Sequence, residues 1–537
     1  MDWRRIGRLK MKETKEKTGS AGLVRKGVFI PAFVIMAIVV AIGFINNEGL
    51  AKGAKAFFGF SLGKFGWLYQ LVAVVSVVVI AIVTCSKLGD MRIGGANAKP
   101  KYPFGTWFAM TLTGGIAVGI VNWGINEPLI YYGNVYGELD QLGIQAGTQE
   151  AARFALGRCF YNWTFVPYAM YAVSGLLIAY MYFNKKEKLS VISTLKPLFG
   201  KKTENPIFMN TVDTLCSLAI TLGMASGLGT GLALLISGLN VVYKIPNNTF
   251  IWVLLGGIAT LIFTSSAILG VDKGIRRLAS LNSKIFYGLL IFLFITGPMA
   301  IILSNSVSGL GEWLNNFFIW GLDSGDVGGE ALTRWWTLAD WCSWIAYAPI
   351  MGIFLGKIAY GRTVREFMII NWVMPSLFGI VWFSVWGGTG LNWQMNGVVD
   401  MVGVIKESGA TAGVWAFLQN LPLGLGIIII PVVMITLMLS FSTAADSMTS
   451  TIASICTKGQ NMEEEPPKSQ KLIWGILIGS ISIIMGAVAG GVRGIDGVKQ
   501  LASVGGFLVL FVFLLQLIAF IKTFFVDLKK EKNGKKE

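Results

Sequence analysis

The sequence predicts an all-α integral membrane protein with twelve transmembrane helices. Three observations predict it. Only 14% of the 537 residues are charged and 54% are hydrophobic, whereas a soluble domain carries roughly 25% charged residues. Apolar runs long enough to cross a bilayer, about 20 residues each, recur along the whole chain. Lys and Arg are segregated into alternate loops, 35 on the side of the N-terminus and 9 on the other, with Arg158 inside a span.

The apolar runs lie at about 28–46, 65–86, 105–132, 154–183, 211–243, 249–270, 285–304, 335–359, 369–391, 424–456, 472–490 and 501–522. A basic tail, 1–27, precedes them and a short basic tail, 523–537, follows. Cytoplasmic loops collect Lys and Arg, so the segregation places both termini in the cytoplasm of a plasma-membrane protein. The net charge of +16 is then topological. It calls for the lipid bilayer, anionic lipid included, and for no nucleic acid. The segment 305–334 places Trp313, Phe317, Phe318 and Trp320 among acidic residues, the composition of an amphipathic helix on the outer surface. A second outer element is expected near 398–420.

Absences narrow the chemistry. The chain has no histidine, which removes His-ligated metals and Ser-His or Cys-His nucleophiles. Its five cysteines are scattered through apolar segments without a CxxC spacing and read as small buried hydrophobes. No cofactor, metal or enzymatic activity is expected.

Two spans depart from plain packing helices. The third holds Thr113-Gly114-Gly115-Ile116-Ala117-Val118-Gly119, then Asn122-Trp123-Gly124-Ile125-Asn126-Glu127-Pro128. Glycines at bilayer depth weaken a helix, and freed backbone there must face protein or a cavity; close helix packing is the competing reading. The eighth carries Trp335, Trp336, Trp341, Trp344 and Tyr347, then Pro349-Ile350-Met351-Gly352. Spans three and eight are five apart. Two five-helix units, 105–304 and 335–522, each opening on an interrupted helix, match an inverted-repeat transporter plan. The first two helices, 28–104, stand outside it. A substrate is then expected between spans three and eight.

The aromatic residues suggest what is carried. Trp163, Tyr168 and Tyr171 fall within an arc of about 140° on a regular helix, and Trp341, Trp344, Tyr347 and Met351 share a face of theirs. A trimethylammonium group has no N–H to donate, and aromatic faces offer it a negative quadrupole at about 0.5–2 kcal/mol per ring. Ordinary core and belt aromatics are the alternative.

The stretch from Trp344-Ile345-Ala346-Tyr347-Ala348-Pro349 to Gly361-Arg362-Thr363-Val364-Arg365-Glu366-Phe367 resembles the signature of the betaine/carnitine/choline transporter family. Asn122-Trp123-Gly124, Glu127-Pro128, Asn162-Trp163, Pro167-Tyr168, Tyr171 and Ala445-Asp446-Ser447 resemble it as well. The resemblance covers nearly the whole chain. It implies a LeuT-like 5+5 inverted repeat after two extra helices, a homotrimer, and a quaternary ammonium substrate. It also implies that Trp163, Tyr168, Tyr171 and Trp344 form an aromatic box, with Trp341 and Tyr347 along the path. The chain departs from the family pattern at Asn122, Asn162, Asp340 and Ser343, where the usual residues are an aromatic, His, Tyr or Phe, and Trp. Trp123, Asn122 and Asp340 are therefore candidate substrate contacts in a roomier, more polar pocket. Asp340 has an alternative in an ion pair with Arg334.

For coupling, sodium-dependent members resemble one another at a Thr-Ser pair that here reads Thr443-Ala444. Arg276 and Met351 resemble residues of the carnitine/γ-butyrobetaine antiporter branch, where they stand in for sodium. Ordinary loop charge and ordinary packing are the competing readings. The expectation is a sodium-independent exchanger of betaine-type compounds such as carnitine, γ-butyrobetaine or glycine betaine. A Na⁺- or H⁺-coupled betaine or choline symporter is the alternative. A membrane enzyme or receptor fits less well, because no catalytic cluster or appended domain is present.

Overall fold

The computed structural model describes residues 23–115, 119–269, 284–285, 287–325, 329–458, 465–490 and 493–528. Every long element is helical. In order they are α1 (Lys26–Ile45), α2 (Asn47–Cys85), α3 (Phe104–Gly115), α4 (Gly119–Gly133), α5 (Gln149–Trp163), α6 (Phe165–Ala179), α7 (Pro206–Tyr243), α8 (Thr249–Leu269), α9 (Tyr287–Thr296), α10 (Met299–Gly321), α11 (Ala339–Lys357), α12 (Val364–Met395), α13 (Met401–Ser408), α14 (Gly413–Gln419), α15 (Gly426–Ile455), α16 (Lys468–Val488) and α17 (Asp496–Ile521).

Among the described residues, ten helices are long and apolar enough to cross a membrane, and eleven if the bent pair α9–α10 is one span. That is fewer than the twelve the sequence predicts. The third predicted span is described as α3 and α4 on either side of residues 116–118, which lie outside the described residues, and neither helix is long enough alone. The seventh ends early. At Gly297-Pro298 the chain turns through 108°, and Pro298 is the N-cap of α10, its carbonyl accepting from Ile301 N and Ile302 N while its missing N–H leaves no helical bond unmade.

Cap residues explain where several helices begin. Asn46 accepts from Gly49 N at the start of α2. Asn205 accepts from Ile207 N at 2.8 Å ahead of Pro206, and Thr148 accepts from Ala151 N at 3.2 Å ahead of α5. Thr363 and Glu366 cap α12 reciprocally, each satisfying a backbone N–H that a helix start leaves open.

The Gly361-to-Phe367 motif has a structural job at one end of the bundle. Arg92 pairs with Thr363 as a short antiparallel bridge. Arg365 donates to the Thr84 and Ser86 carbonyls and pairs with Asp90, while Arg362 donates to the Tyr102 carbonyl. The motif thus ties the segment between α2 and α3 to the entry of α12.

The interior is sealed by small residues. Gly352 and Gly356 of α11 lie against Ser174, Gly175 and Ala179 of α6, so close that a Cβ at Gly352 would stand 2.7 Å from that of Ser174. Gly505 and Gly506 let α17 press against α7 and α11, where a Cβ at Gly506 would stand 2.5 Å from the Cys342 carbonyl oxygen. The Pro349-x-x-Gly352 element is therefore close packing and not the interruption the sequence suggested. Helix α11 is continuous, entered through a π-helical lead, Glu330–Leu338. A break lies instead in the fourth span, where Thr164 leaves helical geometry (φ −117°, ψ −112°) between α5 and α6.

The predicted outer helix of 305–334 begins earlier, as α10, and its last five residues already belong to the lead into α11. It lies along α5, with Gly157 meeting Gly309 and Glu312 and Arg153 paired with Glu312. The element expected near 398–420 is α13 and α14.

Candidate functional site

Break and seam together build the site. Trp163 is the last residue of α5, and Tyr168 and Tyr171 follow on the first turns of α6. The small-residue seam holds α6 against α11, which carries Trp344. Ring centroids lie 6.4 Å apart for Trp163–Trp344, 5.2 Å for Tyr168–Trp344 and 4.8 Å for Tyr171–Trp344. The four rings surround one another although the fourth span is not the regular helix assumed in placing them on one arc. Trp163, Tyr168 and Tyr171 are 8%, 3% and 8% exposed. Trp344 at their centre is only half-buried, as is Tyr347 one turn further. Tyr347 faces Gly223 of α7 and lies 3.8 Å from the Met224 sulfur.

The other candidates lie elsewhere. Trp341 is fully buried; its ring packs on Tyr161 at 5.4 Å and its indole N–H donates to the Asn162 carbonyl at 3.4 Å. Trp123 packs edge-on to Trp336 at 5.4 Å, and Asn122 accepts from Asn126 one turn along α4. Asp340 pairs with Lys499 of α17 at 2.7 Å, a third outcome that neither expected reading included. Arg334 donates from Nε to the Ser324 carbonyl instead. The Lys499 ammonium also sits over the Trp336 ring at 4.1 Å and the Trp123 ring at 5.2 Å.

Of the coupling candidates, Met351 is packed at 5% exposure. The Thr443 hydroxyl donates to the Leu439 carbonyl of its own helix at 2.9 Å, and Asp446 accepts from Ser266 of α8 at 2.6 Å. Arg276 lies outside the described residues, as does the backbone of Ile116-Ala117-Val118. The expected place between spans three and eight thus becomes, for the rings, a place between α5–α6 and α11.

Two residues were not singled out as contacts from sequence. Lys499 sits in the first turn of α17, where a lone lysine resembles any outer-loop charge. Glu127 appeared only inside a motif. It is fully buried and stands directly behind the box, accepting from Trp163 Nε1 at 2.6 Å, Asn162 Nδ2 at 2.9 Å and Tyr131 Oη at 2.8 Å.

Among the described residues, long apolar helices and buried rings gathered around one half-buried tryptophan make up a helical membrane protein with an aromatic pocket. The family model described as betaine/carnitine/choline family transporter matches residues 27–529, and the chain belongs to that family. Relatives include an ectoine/hydroxyectoine transporter of Virgibacillus pantothenticus, 29% identical over 88% of this chain and 92% of its own. A glycine betaine transporter of Bacillus subtilis is 29% identical over 94% of each chain. An osmo-dependent choline transporter of Acinetobacter baylyi is 27% identical over 88% of this chain and 67% of its own.

Proposed function

We propose that the chain takes up betaine- or choline-type quaternary ammonium compounds through the plasma membrane, as a compatible-solute carrier. The observation that carries this is the group of three rings within 6.4 Å of Trp344. Such a group gives a cation without N–H donors both an apolar wall and a favourable quadrupole. The names of the relatives, glycine betaine, choline and ectoine transporters, favour this uptake reading over the exchange of carnitine and γ-butyrobetaine. They do not single out the antiporter branch.

The twelve-span, 5+5 arrangement belongs to the same proposal. Counting the bent α9–α10 pair as one span and α3 with α4 as another brings the total to twelve, and the Lys/Arg asymmetry supports cytoplasmic termini. The Thr443-Ala444 sequence supports a second reading of the energetics, in which sodium does not drive transport. Uptake of labelled glycine betaine and choline into proteoliposomes tests both. Imposed gradients of Na⁺ or H⁺ are compared with counterflow against internal substrate. Failure of every quaternary ammonium compound to be taken up under any gradient or in counterflow ends the proposal.

A further inference from the structure

Glu127 is a carboxylate at membrane depth held by neutral donors. Burying such a charge is costly unless hydrogen bonds compensate, and the shortest of its bonds comes from a wall of the box, the Trp163 indole N–H at 2.6 Å. The side chains behind it form a chain of hydrogen bonds. Arg158 donates to the Thr337 hydroxyl at 2.7 Å, Thr337 donates to Asn162 Oδ1 at 2.9 Å, and Asn162 Nδ2 donates to Glu127. Every donor on the carboxylate comes from α4 or α5, so Glu127 fixes the end of α5 at the break where Trp163 must turn toward Trp344.

A hydrogen bond to an anion is short and strong. An indole that donates one gains electron density over its ring, which deepens the negative face that attracts a cation. We propose that Glu127 is the positioning and polarising residue of the box. Its carboxylate acts through the Trp163 N–H to hold that ring in place and to strengthen its attraction for a quaternary ammonium group. This rests on the aromatic-box reading and assigns Glu127 no contact with the substrate.

A double-mutant cycle on the purified full chain tests it, with glycine betaine and choline as probes. Glu127→Gln keeps the shape and removes the charge. It weakens binding about tenfold in the wild-type background, the size of one lost charged hydrogen bond. In the Trp163→Phe background, where no N–H remains, the same change costs less than about twofold, as non-additivity through one contact requires. The Raman marker of indole hydrogen bonding, isolated as the wild-type minus Trp163→Phe difference, reports a strong acceptor and weakens in Glu127→Gln. Equal losses in both backgrounds, or no loss in either, overturn the proposal. Should Glu127→Gln fail to fold, the difference spectrum decides alone, and a free indole N–H in the wild type overturns it. Trp344→Ala separates the two levels. Unchanged binding there removes the box itself, whereas lost binding beside an additive cycle removes only the role of Glu127.

Discussion

The aromatic box and the charged cluster beside it draw on the same helix, α11, through Trp344 and Asp340 four residues apart, yet they are built on opposite plans. In the cluster each charge is answered from within the protein. Asp340 has Lys499 at 2.7 Å, and Lys499 has the Trp336 and Trp123 faces as well. In the box the rings meet each other, and the central one keeps part of its surface open. A site already filled by its own cation holds structure together, whereas rings around a partly open tryptophan leave their attraction for the ligand proposed above. Paired with Lys499, Asp340, the residue that the sequence made most conspicuous, is therefore proposed to belong on the structural side of the division.

The largest effect expected is on that structural side. Lys499→Ala leaves a buried carboxylate without its cation, a loss of about 3–5 kcal/mol, read as a lower melting temperature in detergent. Asp340→Asn combined with Lys499→Met restores most of it, because removing both charges also removes the desolvation cost. A wild-type melting temperature in Lys499→Ala breaks the comparison. Trp344→Ala comes next and acts on the other side. Losing the ring shared by three neighbours weakens quaternary ammonium binding about thirtyfold, equivalent to roughly 2 kcal/mol of desolvated cation–π attraction, while folding persists. Tryptophan fluorescence titration reads the affinity, and unchanged affinity empties the box of its meaning.

The membrane class and most of the helices were legible because apolar runs and Lys/Arg asymmetry act over whole segments. The four box residues were legible as types in a motif. What brings them together was not. The break at Thr164 has no Gly or Pro to announce it at that residue, and the seam of Gly352, Gly356, Ser174 and Gly175 involves two helices whose contact no single-helix pattern encodes. Asp340 was noticed, but its partner lies 159 positions away at Lys499, and pairing over such a distance leaves no local trace. Pro349 misled because proline usually bends a helix; here α11 runs on through it while Gly352 and Gly356 pack closely on α6.

That seam gives the third expectation. Gly352→Ala adds a methyl 2.7 Å from the Ser174 Cβ and 2.9 Å from its backbone carbon. Backbone has to move, at about 1–2 kcal/mol. Because the same seam sets the distance from Tyr168 and Tyr171 to Trp344, the variant binds substrate several-fold more weakly, and Gly311→Ala, with nothing within 4 Å, serves as the control. Equal behaviour of the two variants in melting and binding separates the seam from the box.

The smallest expected effect concerns sodium. A hard monovalent cation has to be repaid for its hydration by several oxygen ligands. At the pair where the family resemblance locates such ligands, Thr443 is half-buried with its hydroxyl proton committed to Leu439, and Ala444 offers a methyl. One oxygen fewer weakens a site by roughly a charged hydrogen bond, about 1.5–3 kcal/mol, enough to leave it empty at ordinary sodium concentrations. Replacing Na⁺ by K⁺ on both sides of a proteoliposome should therefore change glycine betaine uptake by less than about twofold, the residual reflecting general ionic strength. Ala444→Ser sharpens the point, because it returns a hydroxyl to that position, and sodium stimulation emerging in the variant alone identifies the missing ligand. Wild-type uptake that collapses in potassium instead locates a sodium site elsewhere in the bundle, and the reading of Thr443-Ala444 falls with it.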